Sequence, residues 1–172
     1  LFGGVLAPNG KIYCVPRNCS KILVIDTNEN PVNTYTITKP TIFGFSQWCY
    51  GALGGNGMVY FCPRRATAVL KIDPSDDTVS NGGSITEVSN GFIGAVLGQN
   101  NKIYFPTLNG NNYLVFDVDT ETTTSVPLPT LTSTVSRFFG AVATPQNEIV
   151  FIPARQDAIV KVRTGLPKLN DW

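Results

Sequence analysis

The chain has 172 residues, of which 42% are hydrophobic and 15% are charged, and its 13 Lys and Arg against 12 Asp and Glu leave a formal net charge of +1. This balance lacks the cationic footprint of a nucleic-acid or anionic-membrane binder, and the apolar content excludes a disordered chain. No apolar run approaches the roughly 20 residues of a membrane span, so we expect no membrane insertion. The sequence therefore predicts one globular domain, residues 1–172, with a neutral or mixed-polarity partner.

An internal repeat runs through the whole chain. Its first copy is GVLAPNGKIYCVP at residues 4–16, and later copies begin at Gly51, Gly94 and Gly140, so that the opening glycines lie 47, 43 and 46 residues apart. A second landmark, an apolar run that ends in Asp, follows each of the first three copies. The repeat divides the chain into four units, approximately residues 1–47, 48–91, 92–137 and 138–172.

Each unit is predicted to contain four short β-strands, labelled a to d in chain order. In the first unit these lie at residues 4–7, 11–15, 21–25 and 34–38, where Val, Ile, Thr and Tyr recur between turn residues. Asn9-Gly10 separates strands a and b, and these residue types favour the positive φ of tight hairpin turns. No segment has the periodicity of an amphipathic helix, so we expect almost no helix.

Regular repeats of this length with four strands are typical of β-propeller blades, whereas a β-sandwich, the alternative, predicts irregular strand spacing. The pattern G-[VA]-V-L-x-x-N-x-K-I-Y-x-x-P, followed by L-x-[IF]-D, resembles the β-propeller repeat superfamily. It is broadly similar to the NHL-like blades of uncharacterised propeller repeat proteins. The resemblance implies an all-β, propeller-type repeat of four-stranded antiparallel units and leaves the activity open.

The fourth unit ends early. Its strand c is predicted to reach Val162, and only residues 165–172 remain for strand d, with Trp172 where a fifth unit would begin. Three interpretations follow: a closed four-bladed ring, half of a larger ring completed by a second chain, or a piece of a longer protein. Because natural proteins cover an open apolar sheet edge, we expect a homo-oligomer.

The absence of histidine excludes most catalytic chemistry from these residues. Without an imidazole the chain has no Ser-His-Asp or Cys-His arrangement and no histidine-based metal site. The cysteine spacing also fits no zinc site, so we expect no catalytic residue, no metal and no cofactor. Asp26, Asp73 and Asp117, which end equivalent strands, are predicted to accept hydrogen bonds from backbone amides in the turns that follow.

In a four-stranded meander the b–c and d–a connections emerge at one edge of the sheet, and the a–b and c–d turns emerge at the other. The polar candidates for ligand binding are those of the b–c connections: Arg17, Asn18, Arg64, Arg65, Asn109, Asn111, Arg155, Gln156 and Asp157. The d–a connections add Arg137 and six aromatic residues to the same edge, the latter being Phe43, Phe45, Trp48, Phe92, Phe138 and Phe139.

Aromatic rings that stack on the apolar faces of a sugar, beside polar side chains that bind its hydroxyls, are typical of carbohydrate sites. The sequence therefore predicts a non-enzymatic protein similar to propeller lectins, whose repeated shallow sites bind carbohydrate or glycoprotein with avidity. One alternative is an interaction propeller that binds a peptide or protein at this edge. Another is a fragment of a propeller enzyme that uses carboxylates.

Four cysteines, Cys14, Cys19, Cys49 and Cys62, lie in the first 62 residues. An even number of cysteines is typical of disulfides in an oxidising compartment, so we expect a secreted protein. Two arrangements remain open: a Cys19–Cys49 bridge, which leaves Cys14 and Cys62 on neighbouring b strands, or a local Cys14–Cys19 bridge.

Overall fold

A computed structural model describes residues 3–40, 46–85, 91–133 and 135–165 of the chain. These residues form strands and turns, and they include no helix of the length and apolarity needed to cross a membrane. The strands assemble into four antiparallel sheets, here called blades 1 to 4. The predicted all-β, propeller-type repeat and the expected lack of helix are confirmed for the described residues.

Each blade is a meander whose strands follow chain order. Blade 1 contains β1 (Gly4–Leu6), β2 (Lys11–Cys14), β3 (Lys21–Asp26) and β4 (Asn33–Thr38). Blade 2 contains β5 (Trp48–Leu53), β6 (Val59–Pro63), β7 (Ala68–Asp73) and β8 (Thr78–Ser84). Blade 3 contains β9 (Val96–Leu97), β10 (Lys102–Phe105), β11 (Asn112–Asp117) and β12 (Thr122–Pro127). Blade 4 contains β13 (Phe138–Ala143), β14 (Glu148–Pro153) and β15 (Val160–Arg163).

The strands predicted for the first unit agree with β1 to β4 to within one residue at each end. Blade 4 has three strands in the described part of the chain. The predicted position of its strand d and of Trp172 lies outside the described residues.

Both faces of each blade are apolar, because side chains alternate along a strand and both sets are hydrophobic. The forward face of blade 1, which points to blade 2, consists of Val5, Tyr13, Val15, Ile22 and Val24. The back face of blade 2, which covers it, consists of Val59, Phe61, Leu70 and Ile72. All these side chains are at most 8% exposed, so two adjacent sheets share one apolar layer.

The next two junctions repeat this layer at equivalent strand positions. Tyr60 of blade 2 packs on Phe116 of blade 3 with ring centroids 4.9 Å apart. Tyr113 of blade 3 packs edge-on against Phe151 of blade 4 at 5.1 Å. Such tilted and edge-on aromatic contacts add to the energy of burial. Successive blades are therefore held together by the same apolar positions in each repeat.

The forward face of blade 4 is exposed in the described structure. Val142, Ile152 and Ile159, which are 49%, 42% and 62% exposed, occupy the positions that Val5, Val15 and Ile22 occupy in blade 1. Phe139, 56% exposed, lies on the same face. At the other end of the row, the back face of blade 1 is half-buried at Ile12, Leu23 and Ile25. Within the described residues, the row of blades thus ends in an exposed apolar face at blade 4 and a half-buried one at blade 1.

Aspartates at the ends of the third strands order the turns that follow. Oδ1 of Asp26 accepts the amide N–H of Asn28 at 3.0 Å, and Oδ1 of Asp73 accepts that of Ser75 at 2.8 Å. Oδ1 of Asp117 accepts the amide of Asp119 at 3.0 Å. The predicted turn-stabilising role of these three aspartates is confirmed.

Asp77 fastens blade 2 to blade 1 at the turn rim, the edge formed by the a–b and c–d turns. Its carboxylate accepts hydrogen bonds from the hydroxyls of Tyr13 and Tyr35, each at 2.5 Å, and pairs with the Lys11 ammonium at 3.3 Å. Burial acts to raise the pKa of Asp77, but the hydrogen bonds from these three donors outweigh it and lower the pKa below its ordinary value. One carboxylate therefore joins three side chains of the neighbouring blade.

Replacing Asp77 by Asn is expected to lower the free energy of unfolding at pH 7 by about 1–3 kcal/mol, because a charged acceptor is lost. Since folding lowers the pKa of Asp77, its contribution is present above the ordinary value of 3.8 and is lost as the pH falls through the folded value. Wild type should therefore lose more stability than Asp77→Asn between pH 6 and pH 3, as measured by urea unfolding. Asp76→Asn is the matched control, because Asp76 is an exposed carboxylate of the same turn. A loss of stability between pH 6 and pH 3 that is equal in Asp77→Asn and Asp76→Asn would contradict the role assigned to Asp77.

Candidate ligand-binding rim

The b–c and d–a connections of all blades lie at one edge, here called the loop rim, opposite the turn rim. Its described segments are residues 15–20, 39–40, 46–47, 64–67, 85, 91–95, 106–111, 128–133, 135–137 and 154–159. The predicted polar candidates all fall in these segments. Phe43 and Phe45 lie outside the described residues.

At the junction of blades 1 and 2, Asn18 holds the d–a connection in place. Its Oδ1 accepts the amide N–H of Ser46 at 2.8 Å, and the Gln47 amide donates to the carbonyl of Arg17 at 3.2 Å. The Asn18 side chain is exposed, so its amide NH₂ group remains at the surface. Asn18 therefore shapes the rim and also presents donors to it.

The junction of blades 3 and 4 repeats this arrangement. Oδ1 of Asn109 accepts the amide N–H of Ser136 at 2.9 Å, and the Arg137 amide donates to the carbonyl of Leu108 at 2.7 Å. Nη2 of Arg137 also donates to Oδ1 of Asn111 at 2.9 Å. Asn109 and Asn18 thus occupy equivalent sites, two repeats apart.

Gln156 links the b–c loop of blade 4 to the d–a connection that precedes this blade. Its Nε2 donates to the carbonyl of Ser133 at 2.7 Å, while its Oε1 accepts from the amide of Ser133 and the hydroxyl of Thr132, both at 3.3 Å. Arg155 and Asp157, on either side of Gln156, are exposed. Gln156 is therefore a residue that orders the rim, and its two neighbours are the ones that face solvent.

Three arginines from two blades converge on the segment Ser46–Gln47. Nε of Arg17 donates to Oγ of Ser46 at 3.1 Å. The amides of Arg64 and Arg65 donate to the Gln47 carbonyl at 2.8 and 3.1 Å. The Arg17 and Arg64 side chains are half-buried and that of Arg65 is exposed. These three residues, named the arginine cluster below, form the densest group of predicted site residues.

The aromatic part of the predicted site is corrected by the structure. Trp48 and Phe138 are fully buried and Phe92 is 4% exposed, so none of the three rings is open to a ligand. Trp48 Nε1 donates to the carbonyl of Ala68 at 3.2 Å, and Phe138 packs edge-on against Phe151 at 5.4 Å. These rings belong to the apolar layers between blades: Trp48 and Phe138 begin β5 and β13, and Phe92 lies in an isolated bridge to Thr107 ahead of β9.

The predicted disulfides are not confirmed: all four cysteines are free in this structure. Cys49 and Cys62 lie side by side on β5 and β6, and the Cys49 thiol donates to the Phe92 carbonyl at 3.2 Å. A hydrogen bond from Cys62 lowers the pKa of Cys49, and burial raises the pKa of Cys62. Cys19 is the exposed one of the four. Strand pairing rather than loop position therefore decides which thiols meet.

Two serines of the rim were missed as site residues from the sequence, whereas Arg137 was among the residues assigned to the d–a connections. Ser46 and Ser136 precede the two junction residues Gln47 and Arg137, and their amides are the ones that the rim asparagines bind. The recurrence of Ser46-Gln47-Trp48 as Ser136-Arg137-Phe138 was the available signal. This recurrence is visible when the four units are aligned on the d–a connection rather than on strand a.

No protein-family model matches the chain, and no curated protein sequence matches it. Solved structures do resemble it. A streptogramin B lyase structure has a TM-score of 0.76 at 18% identity, with 95% of this chain and 51% of that one covered. The extracellular domain of a one component system from Bacteroides thetaiotaomicron has a TM-score of 0.69 at 15% identity, with 96% and 21% covered.

An auxiliary nutrient binding protein from Bacteroides ovatus has a TM-score of 0.64 at 16% identity, with 94% of this chain and 38% of that one covered. The chain therefore spans about half the length of the lyase structure and less of the other two. At these identities the likeness shows the fold, which is a propeller-type repeat.

In the native protein, iodoacetamide is expected to modify Cys19 quickly and the other three cysteines slowly, because reaction needs an accessible thiolate. Cys14, Cys49 and Cys62 are at most 7% exposed. Intact-mass measurement after a short exposure should show one adduct on wild type and none on Cys19→Ser, and full modification of the reduced protein in urea. A fast adduct on native Cys19→Ser would contradict the buried positions of the other thiols.

Proposed function

We propose that this chain is an extracellular, non-enzymatic propeller domain that binds carbohydrate at the loop rim. The observation that carries the proposal is the row of amide and guanidinium side chains along that rim, ordered by equivalent hydrogen bonds at two blade junctions. Asn and Arg side chains supply several donors each, and sugar hydroxyls both donate and accept.

The burial of the three aromatic rings changes the expected mode of binding. With Trp48, Phe92 and Phe138 inside the blade layers, recognition depends on hydrogen bonds from surface groups such as Asn18, Arg65 and Asn109. Hydrogen bonds in contact with water contribute little each, so a single site is weak and several similar sites supply avidity. This agrees with shallow sites repeated from blade to blade.

The structural neighbours and the composition support a binding role outside the cell. One neighbour is named as a nutrient binding protein and another as an extracellular domain. A third neighbour is a lyase, but the present chain contains no histidine to act as a general base near neutral pH. Propellers host many functions, so the polar rim, not the fold, is the basis of the proposal.

Binding of the purified chain to an immobilised panel of polysaccharides and glycoproteins tests the proposal. Replacing the exposed Arg65 by Ala is expected to weaken binding about tenfold or more, as the loss of a charge-assisted hydrogen bond predicts. Arg163→Ala, at an 88% exposed residue of the turn rim, is the matched control and should bind like wild type. Free sugar should compete with the bound glycan. If a glycoprotein binds through its polypeptide and free sugar does not displace it, the chain is instead an interaction propeller that binds proteins.

We also propose that a second copy of the chain covers the forward face of blade 4. That face carries Val142, Ile152 and Ile159 at positions that are buried in blade 1, and the back face of blade 1 offers the half-buried Ile12 and Leu23. A head-to-tail contact between these faces would continue the layer already present at three junctions. Two such contacts would close a ring of two chains.

Replacing Ile159 by Asp is expected to convert the dimer into a monomer, because a buried unpaired carboxylate opposes association. Light scattering after size exclusion, repeated over a range of protein concentrations, gives the mass. Val32→Asp, at an exposed apolar residue of the turn between β3 and β4 and outside the strands of the proposed contact, is the control and should leave the dimer intact. A wild-type chain that stays monomeric at the highest concentration would refute the second-copy arrangement.

A further inference from the structure

The two rims carry opposite charge. The described carboxylates of the turn rim and the strand ends beside it are Asp26, Glu29, Asp73, Asp76, Asp77, Asp117, Asp119, Glu121 and Glu148. The described cations of the loop rim and the strand ends beside it are Arg17, Lys21, Lys39, Arg64, Arg65, Arg137 and Arg155. Asp157 is the single described carboxylate on the loop rim. A net charge of +1 therefore conceals a strong separation of charge between two edges.

The ion pairs of the described residues lie at the turn rim. They are Lys11–Asp77, Lys71–Glu121, Lys102–Asp117, Lys161–Glu148 and Arg163–Glu148. No described carboxylate lies within ion-pairing distance of Arg64, Arg65, Arg137 or Arg155. The turn rim thus pairs its cations with part of its carboxylates, whereas these four guanidinium groups of the loop rim form no ion pair with a carboxylate of the described residues.

Arg137 is an independent sign of positive potential inside the rim. Its side chain is 4% exposed, its Nη2 donates to the neutral Asn111 oxygen, and its Nε is buried without a hydrogen-bond partner. Burying a guanidinium that lacks a carboxylate is unfavourable unless other interactions compensate for it. An anion bound at the rim surface would be such a compensation, because electrostatic attraction is weakly screened near a buried charge.

The arginine cluster is the part of the loop rim to which we assign this positive potential. The Arg17 side chain donates to Ser46, and the backbone amides of Arg64 and Arg65 donate to Gln47, so hydrogen bonds hold two arginine-bearing loops, one from each blade, against the same connection. Guanidinium groups bind carboxylate and sulfate through paired, parallel N–H donors, which neutral hydroxyls match less well. Arginines carried on two adjacent loops supply such donors at one junction.

We propose that the loop rim selects anionic saccharides, those with carboxylate or sulfate groups, and that the arginine cluster between blades 1 and 2 holds the anionic group. The proposal rests on the proposed carbohydrate binding and adds its ligand class. The sequence expectation of a neutral or mixed-polarity partner followed from total charge, which does not register how the charges are placed.

Dextran and dextran sulfate are suitable probes, because they share one sugar backbone and differ in charge. The wild-type chain is expected to bind dextran sulfate at least tenfold more tightly than dextran, and the affinity should fall as salt is raised. The double variant R64Q/R65Q should lose most of that preference, and R64K/R65K should keep part of it. R65Q alone, at an exposed residue, repeats the test if the double variant does not fold.

The control is K102Q/R163Q, which removes two positive charges from the turn rim, where these side chains are 40% and 88% exposed. It should bind dextran sulfate like wild type. This comparison separates the effect of the net charge of the chain from the effect of where the charges lie. Equal binding of dextran and dextran sulfate, or equal losses in the two double variants, would overturn the anion preference while leaving carbohydrate binding intact.

Polyacrylate, an anionic polymer without sugar, tests whether binding requires a sugar in addition to negative charge. Weaker binding of polyacrylate than of dextran sulfate is expected if the rim reads both charge and sugar. Equally tight, Arg64- and Arg65-dependent binding of polyacrylate would support the anion site and refute the carbohydrate proposal. Failure of the wild-type chain to bind either anionic polymer would overturn the inference.

Discussion

Burial of the two apolar faces of each blade against its neighbours is the constraint on which the rest of this structure depends. A single four-stranded sheet cannot hide both faces, so each repeat is stable only when adjacent repeats cover it. Side chains such as Tyr13, Phe61 and Phe116 are fully buried for this reason. The apolar positions therefore recur at a fixed place in every unit, and the edges of the sheets are left to turns and loops.

The two edges use their polar residues differently. At the turn rim the carboxylates stabilise the turns and hold adjacent blades together. The turn aspartates accept hydrogen bonds from backbone amides, and Asp77 and Glu121 form ion pairs with Lys11 and Lys71. The loop rim uses neutral asparagines, Asn18 and Asn109, for the same purpose. Among the described residues, Arg64, Arg65 and Arg155 form no ion pair with a carboxylate, and their guanidinium groups are the ones that the proposed ligand site requires.

A site at a blade junction exists only in the assembled row of blades. Arg17 belongs to one sheet and Arg64 and Arg65 to the next, so their approach depends on the apolar layer beneath them. The proposed binding therefore requires an intact junction between the blades. The uncovered end faces extend the same logic, since an additional blade docked there would create a further junction of the same kind, with its own loops at the rim.

The sequence by itself determined the repeat, the four-strand units, the all-β fold and the turn-ordering aspartates, because these follow from local periodicity and turn chemistry. It also assigned the polar candidates to one edge, since strand direction alternates. The tertiary structure alone decided where Trp48 and Phe138 point, because irregular pairing at Trp48/Gly51 and Phe138/Gly140 shifts the register at the start of strand a. It likewise decided that Cys49 meets Cys62 and that charge divides between two rims, because such contacts join residues that only folding brings together.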